Sequence, residues 1–250
     1  SLYKGLNRDY CSVRIMRLIH CACGTDFTIP DAEQVELSEV PTRKELRFLD
    51  AAATECLPED TTPSLAEIQA QPDVAPLGEP QFAPQAPDEQ MRVVVSGTDA
   101  ALSAVLTRMM RADYLWAEVA YIPTDPRSSA AICWGVPAEE PVAFAVEAPV
   151  VPAACVRTDT GEVVAGSAEL FREDGTEEFL GEIVVDSETL VFSEGGGESA
   201  RFFGQFGARL VPTMSAPGIA CTPLVTPVDG PHVGADSIQS PKQLEWLNST

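Results

Sequence analysis

The spacing of apolar residues after position 90 predicts a strand, a turn and a helix in direct succession. Residues 91–95 form a short, mostly β-branched run, and the turn sequence Ser-Gly-Thr-Asp and a longer apolar segment follow. In that segment apolar side chains recur every third or fourth position, which gives one apolar helical face, and Thr98 or Asp99 can cap the first N–H groups. The apolar positions are Leu102, Val105, Leu106, Met109 and Met110.

The neighbouring segments extend this pattern into an α/β unit. Residues 115–122 alternate well enough to predict a second strand, which Pro123 ends. Strand, helix and strand in this order form a βαβ unit, which normally lies in a parallel sheet covered by helices. Residues 13–22 fit a buried strand or a short helix, and we favour the strand. Residues 43–56 have helical spacing of apolar positions and predict a helix.

From about residue 150 the pattern changes to β-branched runs separated by turn residues. Residues 158–161, 174–175 and 186–187 have the composition of hairpin turns. We expect an antiparallel sheet, onto which Phe202, Phe203 and Phe206 fold from a glycine-rich loop. The predicted fold class is therefore α/β plus β, with an N-terminal parallel-sheet α/β domain followed by an antiparallel β-rich domain.

Composition places the boundaries between these parts. No Lys or Arg occurs between Arg47 and Arg92, and seven prolines in this stretch remove backbone donors. We expect an extended acidic linker or surface strap, with a proline-motif ligand as the alternative. The predicted divisions are 1–56 (strand and helix of the α/β domain), 57–90 (linker or strap), 91–148 (βαβ core), 149–228 (antiparallel β domain) and 229–250 (flexible C-terminal tail).

The charge of the chain argues against several classes of partner. Thirty-eight Asp and Glu face sixteen Lys and Arg, for a net charge of -22. Such a surface repels nucleic-acid phosphates and anionic lipids, so we expect a protein partner and no nucleic acid. No apolar run reaches the roughly 20 residues of a membrane span, and the first residues do not resemble a signal peptide. We therefore expect a cytoplasmic protein that does not insert into a membrane.

Candidate chemistry in cysteine and histidine is sparse. Seven cysteines at irregular spacing are expected to be reduced thiols. Cys11, His20, Cys21 and Cys23 form a weak zinc candidate, but buried structural cysteines fit the pattern better. His232 lies in a Pro/Gly-rich segment that is typical of an exposed loop. We expect no metal site and no catalytic residue.

Two segments resemble the diacylglycerol kinase and NAD kinase superfamily. Residues 93–105, VVVSGTDAALSAV, are similar to the strand, turn and helix that hold the family's Gly-Gly-Asp-Gly-Thr motif. Residues 120–137 are similar to its next landmark, in which a strand ends in Pro and a polar loop precedes a short helix that closes with Leu-Gly-Ile-Pro. Pro123 and residues 134–137, Trp-Gly-Val-Pro, match those positions. The resemblance covers about residues 91–225 and implies the same order of domains.

The resemblance also implies a nucleotide site, but its signature glycines are replaced. Gly97, Thr98 and Asp99, with the alanines at 100 and 101, occupy the five motif positions. Glycines let backbone N–H groups approach phosphate closely, and Thr98 and Ala100 add a Cβ where the family has none. Asp99 is retained, although capping a helix is its favoured role. The later loop offers Ser128 but lacks the Gly-Thr pair.

Two functions follow from this comparison. The favoured one is a non-catalytic accessory or scaffold protein without a cofactor, which docks on a larger assembly such as the cytoplasmic face of a bacterial respiratory complex. Its contact candidates are the acidic strap and, if some of them are exposed, the aromatic residues Tyr114, Trp116 and Phe202, Phe203 and Phe206. Otherwise these aromatics belong to the core. The alternative is an ATP-dependent kinase of a lipid or small alcohol that uses Mg²⁺. In that case Gly97, Thr98, Asp99 and Ser128 would bind the nucleotide.

Overall fold

The structure is a computed structural model that describes residues 15–57, 82, 87, 89–172, 177–185, 188–193, 205–214 and 218–228. The predicted strap at 57–90 falls almost wholly outside the described residues. The predicted tail at 229–250, the 174–175 and 186–187 turns, Cys11, His232, Phe202 and Phe203 also fall outside them.

A four-stranded parallel sheet forms the centre of the first part. Its strands are β1 (Ile15–Cys23), β2 (Glu33–Leu37), β3 (Glu89–Gly97) and β4 (Glu118–Pro123), in the spatial order β2-β1-β3-β4. β3 is buried from Met91 to Gly97, as expected for an apolar strand inside a parallel sheet. The predicted strands at 13–22, 91–95 and 115–122 are confirmed, whereas β2 was not predicted.

Helices cover both faces of this sheet. They are α1 (Arg47–Cys56), α2 (Asp99–Arg111), α3 (Ser129–Cys133) and α4 (Pro141–Glu147). α1 and α2 bury Leu49 and Leu102 in one core, and α4 buries Ala145 in another on the opposite face. The predicted helix at 43–56 begins later, at Arg47, and α4 was not predicted. No helix in the described part of the chain is long and apolar enough to span a membrane.

The second part consists of antiparallel strands, which confirms the α/β plus β fold class. β7 (Ala168–Phe171), β10 (Gly207–Pro212) and β11 (Ile219–Leu224) form a sheet in the order β11-β10-β7. β8 (Gly181–Val185) pairs with β9 (Glu188–Ser193). Their shared core contains Ile183, Val191, Ala208, Leu210 and Cys221.

A short hairpin connects the two parts. β5 (Val156–Arg157) pairs with β6 (Val163–Val164), and Val163 and Ala165 are buried in the core of the α/β part. The N–H of Val163 donates to Oγ1 of Thr107 on α2 at 2.9 Å. The hairpin therefore packs with the first core although it lies beyond residue 149, and the predicted domain division stays a prediction.

Candidate functional site

The turn after β3 lies at the carboxyl end of the parallel sheet, where open α/β sheets usually bind ligands. Gly97 ends β3, and α2 begins at Asp99. Thr98 is the N-cap of α2, and its hydroxyl accepts from the N–H of Ala101 at 3.3 Å. The predicted capping by Thr98 is confirmed. One of the N–H groups at the start of α2 is thus satisfied by the chain itself.

The carboxylate of Asp99 does not cap α2, which corrects its favoured role. Its Oδ2 accepts from the N–H of Ala130 in α3 at 2.9 Å. Its Oδ1 accepts from Oγ of Ser128 at 2.6 Å and from the hydroxyl of Tyr121 at 2.9 Å. Asp99 and Ser128, 29 residues apart, are therefore in contact. That they bind a nucleotide, as the kinase alternative predicts, stays a prediction. Asp99 fastens the start of α3 to the start of α2.

Tyr121 is fixed as a donor in this cluster. Burial is the main cause that raises the pKa of its hydroxyl, and the charge of Asp99 and the hydrogen bond to it add to the effect. The hydroxyl also lies 3.1 Å from the carbonyl oxygen of Gly97. Because the group stays protonated, it holds the Asp99 carboxylate and the end of β3 in one position.

The cluster leaves little of its hydrogen-bonding capacity for a ligand. A carboxylate has about four lone-pair positions, and three donors already bind that of Asp99. Ser128 is the N-cap of α3 and accepts from the N–H of Ala131 at 3.3 Å. The Oγ of Ser129 accepts from the N–H of Ser167 at 2.6 Å. One lone-pair position of Asp99 is left for a metal ion, and a phosphate at this turn would have to compete with the chain's own acceptors for the N–H groups of Ala101 and Ala130.

Gly97 has a packing role that is independent of any phosphate. Its φ is +156°, and a Cβ there would lie 3.0 Å from Cβ of Cys23 and 3.1 Å from Cβ of Ala101. The side chains of β1 and α2 therefore close over this position. Glycine is required here because the first turn of α2 sits directly against the sheet.

Sequence reasoning missed a polar chain on the opposite face of the sheet. Nε2 of His20 lies 2.8 Å from Oγ of Ser96, which also contacts Oγ1 of Thr25. Nδ1 of His20 lies 3.4 Å from Oε1 of Gln34. Burial lowers the pKa of His20 below its ordinary value of 6.5. The signal was strand alternation, since His20 and Ser96 fall on the same face of neighbouring strands.

This serine and histidine pair resembles an activated nucleophile in its geometry alone. A nucleophile must be within reach of its substrate. The exposed fraction of both Ser96 and His20 is 0%. The pair therefore acts as a buried link between β1 and β3.

Another missed signal is a repeat at three neighbouring strand ends. Residues 24–26 and 97–99 read Gly-Thr-Asp, and residues 123–125 read Pro-Thr-Asp. Each threonine closes a loop with its hydroxyl: Thr25 contacts Ser96, Thr98 accepts from Ala101, and Thr124 donates to the carbonyl of Gly97. The repeat thus stabilises the carboxyl edge of the sheet.

The weak zinc candidate is not assembled by the described residues. Cys21 and Cys23 are buried in the core beneath the helices, whereas His20 faces the other side of the sheet. Burial is the main cause that raises the pKa of Cys23 from 9.0 to about 12, so its thiol stays protonated. Groups of three or more metal-binding side chains are absent from the described residues.

A groove runs along the outer edge of β4. Its volume is about 490 Å³, and its lining is mostly apolar. Arg92 lies inside, where its Nε is 2.8 Å from Oε2 of Glu118 and its Nη1 donates to the carbonyls of Ala145 and Val146. These bonds neutralise the charge and fasten the end of α4. Other lining residues are Phe82, Leu106, Trp116, Val119, Tyr121, Trp134, Val136, Phe144 and Val151.

The aromatic residues named as contact candidates differ in how far they are buried. Tyr114 is buried, and its hydroxyl donates to Oδ1 of Asp50 at 2.9 Å, so it belongs to the core, which was the alternative to a contact role. Trp116 is half-buried in the wall of the groove. Its Nε1 and that of Trp134 are buried, and neither has a hydrogen-bond partner in the described structure. Phe206 is half-buried.

Comparisons with protein-family models, curated proteins and solved structures found no match to this chain.

Proposed function

We propose that this chain is a non-catalytic accessory or scaffold protein that resembles the diacylglycerol kinase superfamily and docks on a larger protein assembly. The observation that carries the proposal is the closed cluster at the carboxyl end of the sheet. Asp99, the one acidic residue kept from the family's motif, is bound by Tyr121, Ser128 and Ala130. A kinase would need that carboxylate and the adjacent N–H groups for Mg²⁺ and phosphate.

The replaced glycines support the same proposal. A nucleotide phosphate binds where backbone N–H groups are bare and close. In this turn the hydroxyl of Thr98 takes the N–H of Ala101, and the carboxylate of Asp99 takes the N–H of Ala130. ATP would have to compete with intramolecular acceptors at both helix starts.

Calorimetric titration of the full chain with ATP and Mg²⁺ tests the non-catalytic part of the proposal. We expect a dissociation constant weaker than about 1 mM, which corresponds to roughly -4 kcal/mol. A low-micromolar constant that Asp99→Ala abolishes and Asp125→Ala preserves would favour the kinase alternative. Asp125 is the matched control because it lies in the loop before α3 and accepts from the N–H of Arg127.

Docking is tested by tagging the protein at its native level and fractionating cells at low and high salt. A charge of -22 should give recovery with a larger assembly that salt weakens. Membrane fractions decide whether the assembly is a membrane complex with basic loops at its cytoplasmic face. A monomer that copurifies with nothing at low salt would end the docking proposal.

A further inference from the structure

Within the described residues, the outer side of β4 is an unpaired strand edge. β4 ends the strand order β2-β1-β3-β4, and no other strand in the described ranges pairs with it. The N–H of Thr124 donates to the carbonyl of Gly97 on β3. Because backbone groups alternate in direction along a strand, Val119 and Tyr121 present their N–H and C=O groups to the outer side.

Pro123 supports this assignment of the inner and outer sides of β4. Its backbone faces the outer side, like that of Val119 and Tyr121, and it has no N–H that a neighbouring strand could use. Proline in a sheet is confined mainly to edge strands. The outward backbone groups therefore lie in the middle of β4, beside the groove, and because Tyr121 is 2% exposed, those of the half-buried Val119 are the accessible ones.

The walls of the groove come from both helical layers and leave room beside the strand. Phe144 and Ala145 of α4 line one side, and Leu106 of α2 with Trp134 lines the other. Phe144 is 40% exposed and Val151 is 67% exposed. Exposed apolar side chains gathered around a groove are typical of a binding surface. An unpaired strand edge between apolar walls is the arrangement that accepts an added strand.

The charges around the groove indicate the charge of the segment that it binds. Asp113, Glu139, Glu140 and Glu147 are exposed and lie within four residues, along the chain, of residues that line the groove. Arg127 is the only basic residue between positions 112 and 155, and its Nε lies 3.6 Å from Oδ1 of Asp125. Basic residues at the ends of an occupant would complement this acidic rim.

The same charges disfavour two occupants that this protein could supply. Residues 57–90 contain no Lys or Arg, and their prolines lack the N–H groups that strand pairing uses. A second copy of the chain also carries a charge of -22. Both would bring like charge to an acidic rim.

We propose that the groove beside β4 binds an extended segment of a partner protein as an added strand, with apolar residues in the groove and Lys or Arg at its ends. This inference rests on the proposed docking function and identifies its surface and the chemistry of its partner. Backbone bonds to the N–H and C=O of Val119 set the position of the segment, and contacts with Phe144 and Val151 select its apolar side chains.

The test is a fluorescence anisotropy titration of the full chain with a labelled peptide of alternating Val and Thr that carries two Lys at each end. We expect saturable binding. We also expect at least about tenfold weaker binding when alternate backbone nitrogens are methylated, because the ladder bonds are lost. A peptide with Glu in place of Lys should bind at least about tenfold more weakly, and salt should strengthen its residual binding because it screens the repulsion.

Variants of the protein locate the site. Phe144→Lys and Val151→Lys place a charge in the groove walls and should weaken binding at least about tenfold. Phe192→Lys is the matched control, because Phe192 is 61% exposed on β9, outside the groove. Equal binding by the methylated peptide, equal weakening by Phe192→Lys, or no binding at all would each overturn the proposal.

Two further measurements address the occupants that the protein itself could supply. If Phe82→Ala strengthened peptide binding about tenfold, the proline-rich segment would be the occupant and the proposal would be wrong. Sedimentation that revealed a dimer disrupted by Val151→Lys would assign the groove to a second copy and overturn it equally. Copurification with a partner that survives Val151→Lys would refute the groove and leave the docking function standing.

Discussion

At the scale of single residues, the carboxylate of Asp99 connects the start of α2 to the end of β4 and the start of α3. It accepts hydrogen bonds from Tyr121 at the end of β4, from Ser128 and from Ala130 at the start of α3. Ser128 and Tyr121 are buried. The resemblance assigns Asp99 to a nucleotide site, but in this structure its carboxylate binds groups of the chain itself.

Asp99→Ala should therefore destabilise the fold rather than only remove an activity. It leaves the buried hydroxyl of Ser128 and the N–H of Ala130 without their acceptor, while the hydroxyl of Tyr121 keeps the carbonyl of Gly97. The expected cost is about 2 to 3 kcal/mol. Urea unfolding measures the change. Asp125→Ala, in the loop before α3 and partly exposed, should cost less than about 1 kcal/mol. A cost for Asp99→Ala no larger than for Asp125→Ala would mean that this carboxylate is held for a ligand.

The Asp99 contacts show which part of the site lay beyond sequence reasoning. Position 99 could be placed at a strand-to-helix turn from the apolar spacing of α2, and Thr98 could be named as a cap. The bond from Asp99 to Ala130 spans 31 residues, and it depends on how β4 and α3 pack. Local pattern carries no information about that distance, so the carboxylate was assigned to the wrong helix.

At the scale of elements, burial decided which strands and helices were predictable. β3 is buried throughout its centre and was predicted from its β-branched run. β2 has the sequence EQVEL and is exposed at Glu33, Gln34 and Glu36, as an edge strand can be. Its charged residues gave no strand signal. α4 was missed because its Pro141 resembled a loop residue, although proline is common in the first turn of a helix.

The polar chain that links β2, β1 and β3 makes stability depend on pH. Burial lowers the pKa of His20 in the folded state, so below about pH 6.5 the unfolded state binds more protons than the folded state. Stability should therefore fall as the pH drops from 6.5 toward the folded pKa. The measurement is the free energy of unfolding between pH 8 and pH 5 for the native chain and for His20→Gln. Each end of this range lies about 1.5 pH units from the ordinary pKa of histidine.

His20→Gln separates this effect from other titrations. The variant keeps a polar group beside Ser96 but has no proton to gain, and His232 is present in both proteins. The difference in stability between the two should be constant above about pH 7.5 and should shift toward the variant at lower pH. A difference that stays constant across the whole range would show that His20 titrates normally in the folded protein.

At the scale of the whole molecule, the β5–β6 hairpin lies between the α/β part and the antiparallel strands along the chain, and it is buried in one of the two cores of the α/β part. Val163 is buried in the core that also contains Leu102 and Val105 of α2. Val191 is buried in the core of the antiparallel strands. The composition change near residue 149 marks where strands replace helices, but the first core extends past it to Ala165. Physical contact, rather than strand content, assigns the hairpin to the α/β part.

Val163→Ala and Val191→Ala should therefore weaken different parts of the chain. Each removes buried methyl groups, at an expected cost of about 1 to 2 kcal/mol. Hydrogen exchange resolves where that cost appears. Val163→Ala should speed exchange of the β3 amides and leave those of β10 unchanged, because Val163 packs with α2. Val191→Ala should do the reverse. If Val163→Ala loosened β10 and spared β3, the hairpin would belong to the antiparallel part, and residue 149 would be the physical boundary between the two folding units.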